Sequence, residues 1–412
     1  MELTLDLKTN LFKEYLDNVG YDKLQDPELI EDLINVKELP NGKVDPSTLT
    51  ARVRAAMNAY VGSQLLEPLM SDKHLSEYQT ILQKEIFFEQ TTIDTKAEFD
   101  DIFEKFIDEG QILFRGLNEA KYRLYSSLQR SWIDQKLSVV FKYDEFLKSL
   151  VQKAREIENG TIANYLDATF FDSDNDLAVL SFLQHHRCPT PLLDWTYSFG
   201  NALFFATEDI KMSRDEWEID NYFCVYYLEE KFLNKNSIKE ILKEGFAKYK
   251  PDLRERFNEL LEEDNFDAED IKKNLPTELI DKLAVSFQSN SAMKYMTKVE
   301  RLVTFPILYF SDHEDSYKTN YLLNNNLNIV NQEGVFTWNS VPTKPLEHVA
   351  NAEYREENPD GDYRFSKCIN INKNLAAYVR EKIKELGITD EFIYPDPYDL
   401  AGEIFQKTKN HN

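Results

Sequence analysis

Gln184-His-His-Arg-Cys-Pro-Thr-Pro-Leu-Leu-Asp-Trp-Thr-Tyr-Ser-Phe-Gly-Asn-Ala-Leu-Phe-Phe-Ala206 places two adjacent histidines, a carboxylate and two hydroxyls directly ahead of a strongly apolar segment. Pro189 and Pro191 remove backbone donors and restrict the residues before them, so the chain after His185-His186 is forced into an extended loop. Ser198 stands where a helix N-cap is needed, and Phe199, Ala202, Leu203, Phe205 and Ala206 form the buried face of a helix predicted over 199–209. A second helix, predicted over about 176–186, ends at the histidine pair. Polar groups are thus held at the edge of a core.

Working outward from this stretch, a helix is expected over 96–108 and is stopped by Gly110. A short strand, Ile112–Phe114, then delivers Arg115-Gly116 to a loop. An unevenly spaced helix follows from about 139 to 158. Tyr222–Leu228, rich in aromatic and β-branched residues, reads as a buried strand, as do Val303–Phe310, Leu327–Val330 and Val335–Trp338. The Glu/Lys/Asp-dense stretch over about 236–285 reads as helical and lies within an insertion at about 230–300. Leu375, Val379, Ile383 and Leu386, spaced four, four and three, define a last helix that Gly387 stops. Residues 1–95 carry helical patterns at about 27–37, 49–71 and 73–90, with Asp26 and Ser47 as caps and Pro27 at a first helical position, and form a helical N-terminal extension. Strands and helices alternate without a strict βαβ rhythm, so the expected fold class is α+β: a mixed sheet flanked by helices over 96–412.

With 412 residues, 42% of them hydrophobic and 13% aromatic, the chain has ample material for ordinary cores. Its net charge of −25, with no compensating Lys/Arg-rich run, disfavours nucleic-acid backbones. A local patch of Lys121, Arg123 and Arg130 with Arg115 can still hold one nucleotide, and the acidic surface offers a face for a protein partner. Cys188, Cys224 and Cys368 are odd in number and widely spaced, which fits a reducing compartment and gives neither a disulfide framework nor a zinc spacing. The N-terminal Met-Glu-Leu-Thr-Leu-Asp-Leu-Lys lacks a signal-peptide pattern, and no window approaches 18 apolar residues. The expectation is a cytoplasmic protein with no membrane span.

The opening stretch resembles the bacterial FRG-domain family, whose pattern there reads Gln-His-Tyr-Gly-x-Pro-Thr-Arg-Leu-Leu-Asp-Trp-Thr ahead of a helix ending Leu-Phe-Phe-Ala. The likeness recurs in Phe114-Arg115-Gly116, in Leu128-Gln129-Arg130, in Asn326 to Phe336 with its Gln332 and Gly334, and in Leu386-Gly387-Ile388-Thr389 followed by Tyr394-Pro395-Asp396. Here Arg187 replaces the usual Gly, Pro191 the usual Arg, and Asn328 the usual Arg. The resemblance implies an FRG-type domain and a stand-alone factor in a phage-defence or toxin setting.

Arg115, beside Gly116, can clamp phosphate or carboxylate through two parallel hydrogen bonds, or serve as a structural salt bridge. The small Gly116 would let backbone approach a ligand. Thr196 and Ser198 precede a helix N-terminus that favours an anion, and they equally suit local capping. His185, His186 and Asp194 can pass a proton; a third metal ligand is not visible nearby, so no metal is expected. Asp194 can also brace its loop by accepting backbone N–H bonds, and Cys188 lacks an activating arrangement beyond its histidine neighbours. On a strand ending at Gln332, alternation puts Gln332 and Gly334 on one side and Glu333 on the other.

In order along the chain, these residues are similar to the Arg…Ser…Glu arrangement of mono-ADP-ribosyltransferases. That likeness implies NAD as the ligand, with the roles falling to Arg115, to Thr196 with Ser198, and to Gln332 or Glu333; from their own chemistry Gly116 and Asp194 are expected to contact the nucleotide alongside Arg115 and Thr196, and His185 to act on it. A neutral Gln332 lacks the charge that such a reaction requires. A non-catalytic sensor or interaction module is the alternative.

Overall fold

A computed structural model describes residues 77–78, 80–169, 171–210, 218–234, 236–242, 292–312, 321–357, 364–395 and 400–409. The helices expected at 27–37 and 49–71, and nearly all of the charged segment 236–285, lie outside the described residues. Seven strands form one mixed sheet: β1 (Glu89–Ile93), β2 (Ile112–Leu117), β3 (Leu192–Thr196), β4 (Tyr222–Glu229), β5 (Ile307–Phe310), β6 (Gly334–Asn339) and β7 (Lys367–Asn372), in the order β1-β7-β4-β2-β3-β6-β5. The β1–β7 pair is parallel and the other pairs are antiparallel. The fold is α+β, a mixed sheet flanked by helices.

The join between β2 and β3 decides where a ligand can enter. β2 pairs with β4 along its whole length, and β3 pairs with β6 along its whole length, yet β2 and β3 share one residue pair, Phe114 opposite Thr196. The sheet is therefore split into two halves hinged at that pair. Alternation along each strand sends side chains to opposite faces, and the cores follow the split. One face carries a core that runs across both halves, including Leu113 of β2, Leu193 and Trp195 of β3, Tyr226 of β4, Tyr309 of β5 and Val335 of β6. The opposite face carries two cores. One is built on Phe114, Phe223, Val225 and Ile369 under helices 96–106, 199–207 and 376–385; the other is built on Leu192, Leu308, Phe336 and Trp338 under helices 143–168 and 176–185.

Local signals set these helices. Thr95 and Glu98 close a reciprocal capping box on helix 96–106, and Ser126 with Gln129 does the same for helix 127–134. Asn175 caps helix 176–185 and Ser198 caps helix 199–207 through the Asn201 N–H. Gly387, at φ +78°, follows helix 376–385 as expected.

Several expectations change. Arg115 and Gly116 lie within β2, which continues to Leu117 instead of ending in a loop at Phe114. The stretch after Pro191 is a strand, because β6 offers Leu192–Thr196 a full antiparallel ladder. Leu327–Val330 is part of a helix, Leu327–Gln332, capped by the Asn326 side chain. A short apolar run cannot by itself distinguish strand from buried helix, and the cap decides. The region read as one helix over 73–90 holds a short helix, Ile81–Glu85, and edge strand β1. Helix 143–168 breaks at Ile157–Gly160, where three successive residues adopt positive φ. Further elements, among them helices Ser127–Asp134, Leu346–Glu357 and Leu400–Lys409 and strand β7, were not legible.

Candidate functional site

At the split lies a cavity of about 220 Å³, lined by Phe114, Arg115 and Gly116 of β2, by Asp194, Trp195 and Thr196 of β3, and by Gln184, His185 and Arg187 at the end of helix 176–185. Phe205, Gln332, Gly334 and Tyr394 complete the wall. Two strands that part after one shared pair leave backbone and side chains facing a gap instead of each other.

Arg115 spans the gap. Its Nη1 donates to the Asp194 carbonyl oxygen at 2.6 Å and lies 3.6 Å from Asp194 Oδ2, with the side chain 12% exposed. Burial pulls the guanidinium below its ordinary pKa, and the Asp194 charge acts in the opposite direction; an arginine stays charged in such surroundings. The Asp194 carboxylate is fixed by a second residue, since Oδ2 accepts from Gln184 Nε2 at 2.7 Å. Gln184 is itself oriented by the Thr190 hydroxyl, which donates to its Oε1.

Three buried polar atoms in this wall have no partner among the described residues: Arg115 Nε, Asp194 Oδ1 and His185 Nε2. Buried polar atoms are paired in the great majority of proteins, so three converging on one cavity mark a place where a ligand or water completes the bonding. Burial lowers the His185 pKa, opposed by Asp194 and by Gln332, so its imidazole is neutral near pH 7.

The remaining predicted residues divide. Thr196 lines the cavity, is buried, and accepts from the Ser198 N–H at 3.0 Å through Oγ1. Ser198 is not in the wall; its Oγ accepts from the Asn201 N–H at 3.2 Å, so its role is capping. Gln332 reaches the wall from a helix end, with Nε2 donating to the Ile393 carbonyl at 3.0 Å. Glu333 takes a left-handed C-cap position and is exposed outside the wall, so the division of Gln332 and Gly334 from Glu333 holds although the element is not a strand. Gly116 lies in the wall, but a Cβ there would fall 1.8 Å from the Ala202 carbonyl oxygen. Its smallness admits helix 199–207 to the sheet.

His186 turns away from the cavity and stacks on Phe182 at 4.2 Å between ring centroids; burial and the neighbouring His185 bring its pKa down to about 4. Burial pushes the Cys188 thiol up to about 12, which removes it as a nucleophile. The expected basic patch is dispersed. Lys121 pairs with Asp220 at 3.0 Å, Arg123 lies over the Tyr78 ring, and Arg130 donates to the Tyr125 carbonyl. Only Arg115 of the four reaches the cavity wall. Among the described residues no three His, Cys, Asp or Glu are grouped to hold a metal, and no helix is long and apolar enough to cross a membrane.

Gln184, Arg187, Phe205 and Tyr394 were not singled out as site residues. Gln184 and Arg187 flank the histidines in the opening stretch and Tyr394 sits in a motif of its own, so a signal existed; only the fold brings Tyr394 beside helix 176–185.

These features define a class: an α+β protein whose mixed sheet is split around a polar cleft. More particularly, the chain carries an FRG domain: its residues 110–215 match the family model of that description. The matched segment runs from the start of β2 past helix 199–207, supplying Arg115, Gln184, His185, Asp194 and Thr196 of the wall, while Gln332, Gly334 and Tyr394 lie beyond it. Neither a curated protein nor a solved structure matches the chain.

Proposed function

We propose that this cleft binds a nucleotide of the NAD type and cleaves or transfers its ADP-ribosyl group. The observation that carries the reading is the convergence of unpartnered Arg115 Nε, Asp194 Oδ1 and His185 Nε2 on one cavity. A volume of about 220 Å³ is below the roughly 300–1,000 Å³ of sites that enclose a drug-sized ligand, so the cleft suits the nicotinamide–ribosyl half of a dinucleotide.

NAD supplies a ribose carbon, C1′, joined to a cationic leaving group. Asp194 Oδ1, held by Gln184 through its other oxygen, provides the negative charge that faces a cation developing at C1′. Gln332 cannot do this, being neutral and tied to Ile393. His185, neutral at pH 7, takes the proton of the attacking water or acceptor hydroxyl through Nε2. The balance closes as the new C1′–O bond forms, the C1′–N bond breaks, and its electron pair leaves with neutral nicotinamide. Thr196 still has its hydroxyl hydrogen to donate to a ligand oxygen while Oγ1 accepts from Ser198. Arg115 sets the width of the cleft through its bond to the Asp194 carbonyl and offers Nε to a ligand oxygen.

The test is nicotinamide release from NAD by the purified chain, compared with Arg115→Ala and with a thermal shift on adding NAD. Release that depends on Arg115 supports the reading. Absence of both release and thermal shift refutes it and leaves a non-catalytic interaction module, to which the net charge of −25 offers an acidic face.

A further inference from the structure

Helix 176–185 ends with backbone bonds that call for glycine. His186 is the C-cap, and the chain then turns so that the Cys188 N–H donates back to the Leu183 carbonyl at 3.0 Å. This six-to-one closure places the intervening residue in the left-handed region, where glycine is the usual occupant because it has no Cβ to clash. The residue there is Arg187, at φ +62°.

A long cationic side chain in that position is a local cost, and among the described residues the contact that offsets part of it is a cation–π contact with Tyr394. Among the described residues Arg187 makes no ion pair and no side-chain hydrogen bond, in a chain with 73 acidic residues against 48 basic ones. Its guanidinium lies over the Tyr394 ring at 5.5 Å from the centroid, and both side chains line the cavity. Tyr394 is held in turn, its hydroxyl donating to Glu208 Oε2 at 3.0 Å. The result is an exposed cation, pre-positioned on an aromatic platform at the cleft.

We propose that Arg187 is the phosphate-recognising residue of the cleft, and that the ligand therefore carries a phosphate next to the sugar held between Arg115 and Asp194. The inference rests on the nucleotide reading of the same site. Arg115 cannot serve this role alone, since one arm already bonds the Asp194 carbonyl. Among the described residues no hydrogen bond or ion pair engages the donor fork of Arg187, and arginine forks match phosphate oxygens two at a time. A backbone conformation tolerated against local preference is expected where function requires it.

Arg187→Gly separates this role from a structural one, because the two predict opposite signs. Glycine relieves the left-handed strain, so the melting temperature stays level or rises. Dissociation constants are measured by calorimetry for ADP-ribose, which carries phosphates, and for nicotinamide riboside, which carries none. The expected result is that Arg187→Gly weakens ADP-ribose at least about tenfold, the scale of one lost charge-assisted contact, and leaves nicotinamide riboside unchanged, with Arg187→Lys in between. Equal ADP-ribose affinity in wild type and Arg187→Gly overturns the proposal. So does a marked fall in melting temperature with both ligands weakened alike, which would make the Tyr394 stacking structural.

If wild type binds neither probe, the nucleotide reading fails, and inorganic pyrophosphate titrated alone decides on Arg187 separately. Pyrophosphate binding lost in Arg187→Gly keeps the anion site. No pyrophosphate binding by wild type removes it.

Discussion

Replacing Gly116 by alanine tests the packing that shapes the cleft. Gly116 sits in β2 opposite Val225 of β4, and helix 199–207 crosses directly above it. An added Cβ would lie 1.8 Å from the Ala202 carbonyl oxygen, 2.7 Å from the Ala206 nitrogen and 2.9 Å from the Ala202 carbonyl carbon. Ordinary carbon–oxygen contact begins near roughly 3.3 Å, so the helix must retreat by about 1.5 Å. All three obstacles are backbone atoms, which no side-chain rotation can move aside. The helix cannot retreat cheaply, because helix 376–385 packs against it and Phe199, Ala202, Leu203 and Ala206 are fully buried. Overpacking costs about 1–3 kcal/mol where side chains can yield, and a backbone clash belongs at or above the top of that range.

At about 2.1 cal/mol/K of unfolding entropy per residue, the whole chain of 412 residues melts with about 0.9 kcal/mol/K. A loss of about 3 kcal/mol then lowers the melting temperature by about 3–4 °C, and by more if only part of the chain melts in that transition. Differential scanning fluorimetry should show this fall for Gly116→Ala and no change for Gly110→Ala, where a Cβ meets nothing within 4 Å. Gly200→Ala should fall between them, since its Cβ would meet only the movable ends of side chains such as Ile388 Cδ1, at 2.5 Å. A Gly116→Ala protein melting within about 1 °C of wild type would refute the claim that this glycine exists to seat the helix.

Asp194→Asn should leave the Arg115 bond to the residue-194 carbonyl in place while removing the charge. Nicotinamide release should therefore fall by at least about 100-fold, as for loss of a transition-state electrostatic partner, with NAD affinity little changed; a variant of undiminished rate would exclude Asp194 from the chemistry. His186 has a folded pKa of about 4, below its ordinary 6.5. The unfolded chain therefore takes up a proton that the folded chain refuses as pH falls from 6.5 toward 4. The stability this residue permits above pH 6.5 is lost across that window, by at most about 3 kcal/mol. His186→Phe, which keeps the stacking on Phe182, should flatten that part of a melting-temperature profile against pH; an unchanged profile would count against the assignment. Cys188, with its thiol pushed up to about 12, should resist alkylation in the native protein at pH 8, read by mass spectrometry after iodoacetamide. Its modification within minutes would contradict the buried placement.

The opening stretch of sequence was enough to place the helices at its two ends. Two prolines, the Ser198 cap and the apolar spacing after it determine where helix 176–185 stops and helix 199–207 starts, because those signals act over three or four residues. The same locality makes Arg115, His185, Asp194 and Thr196 recognisable as polar groups at a core edge, and Gln332 and Glu333 divide as expected. What a local signal cannot carry is competition between partners. Leu192–Thr196 becomes a strand because β6 lies alongside it, and Leu327–Gln332 becomes a helix that the Asn326 side chain caps. Gly116 reads as a ligand contact until helix 199–207 is seen on top of it.

The cleft itself is a tertiary fact. It exists because β2 and β3 share one residue pair and then part, and pairing of that kind depends on strands some 80 residues apart in a register that no single segment encodes. Tyr394 meets Arg187, and Gln332 meets His185, only once the C-terminal segment folds back across the split, where burial, charge and strain acquire the values that give those residues a role.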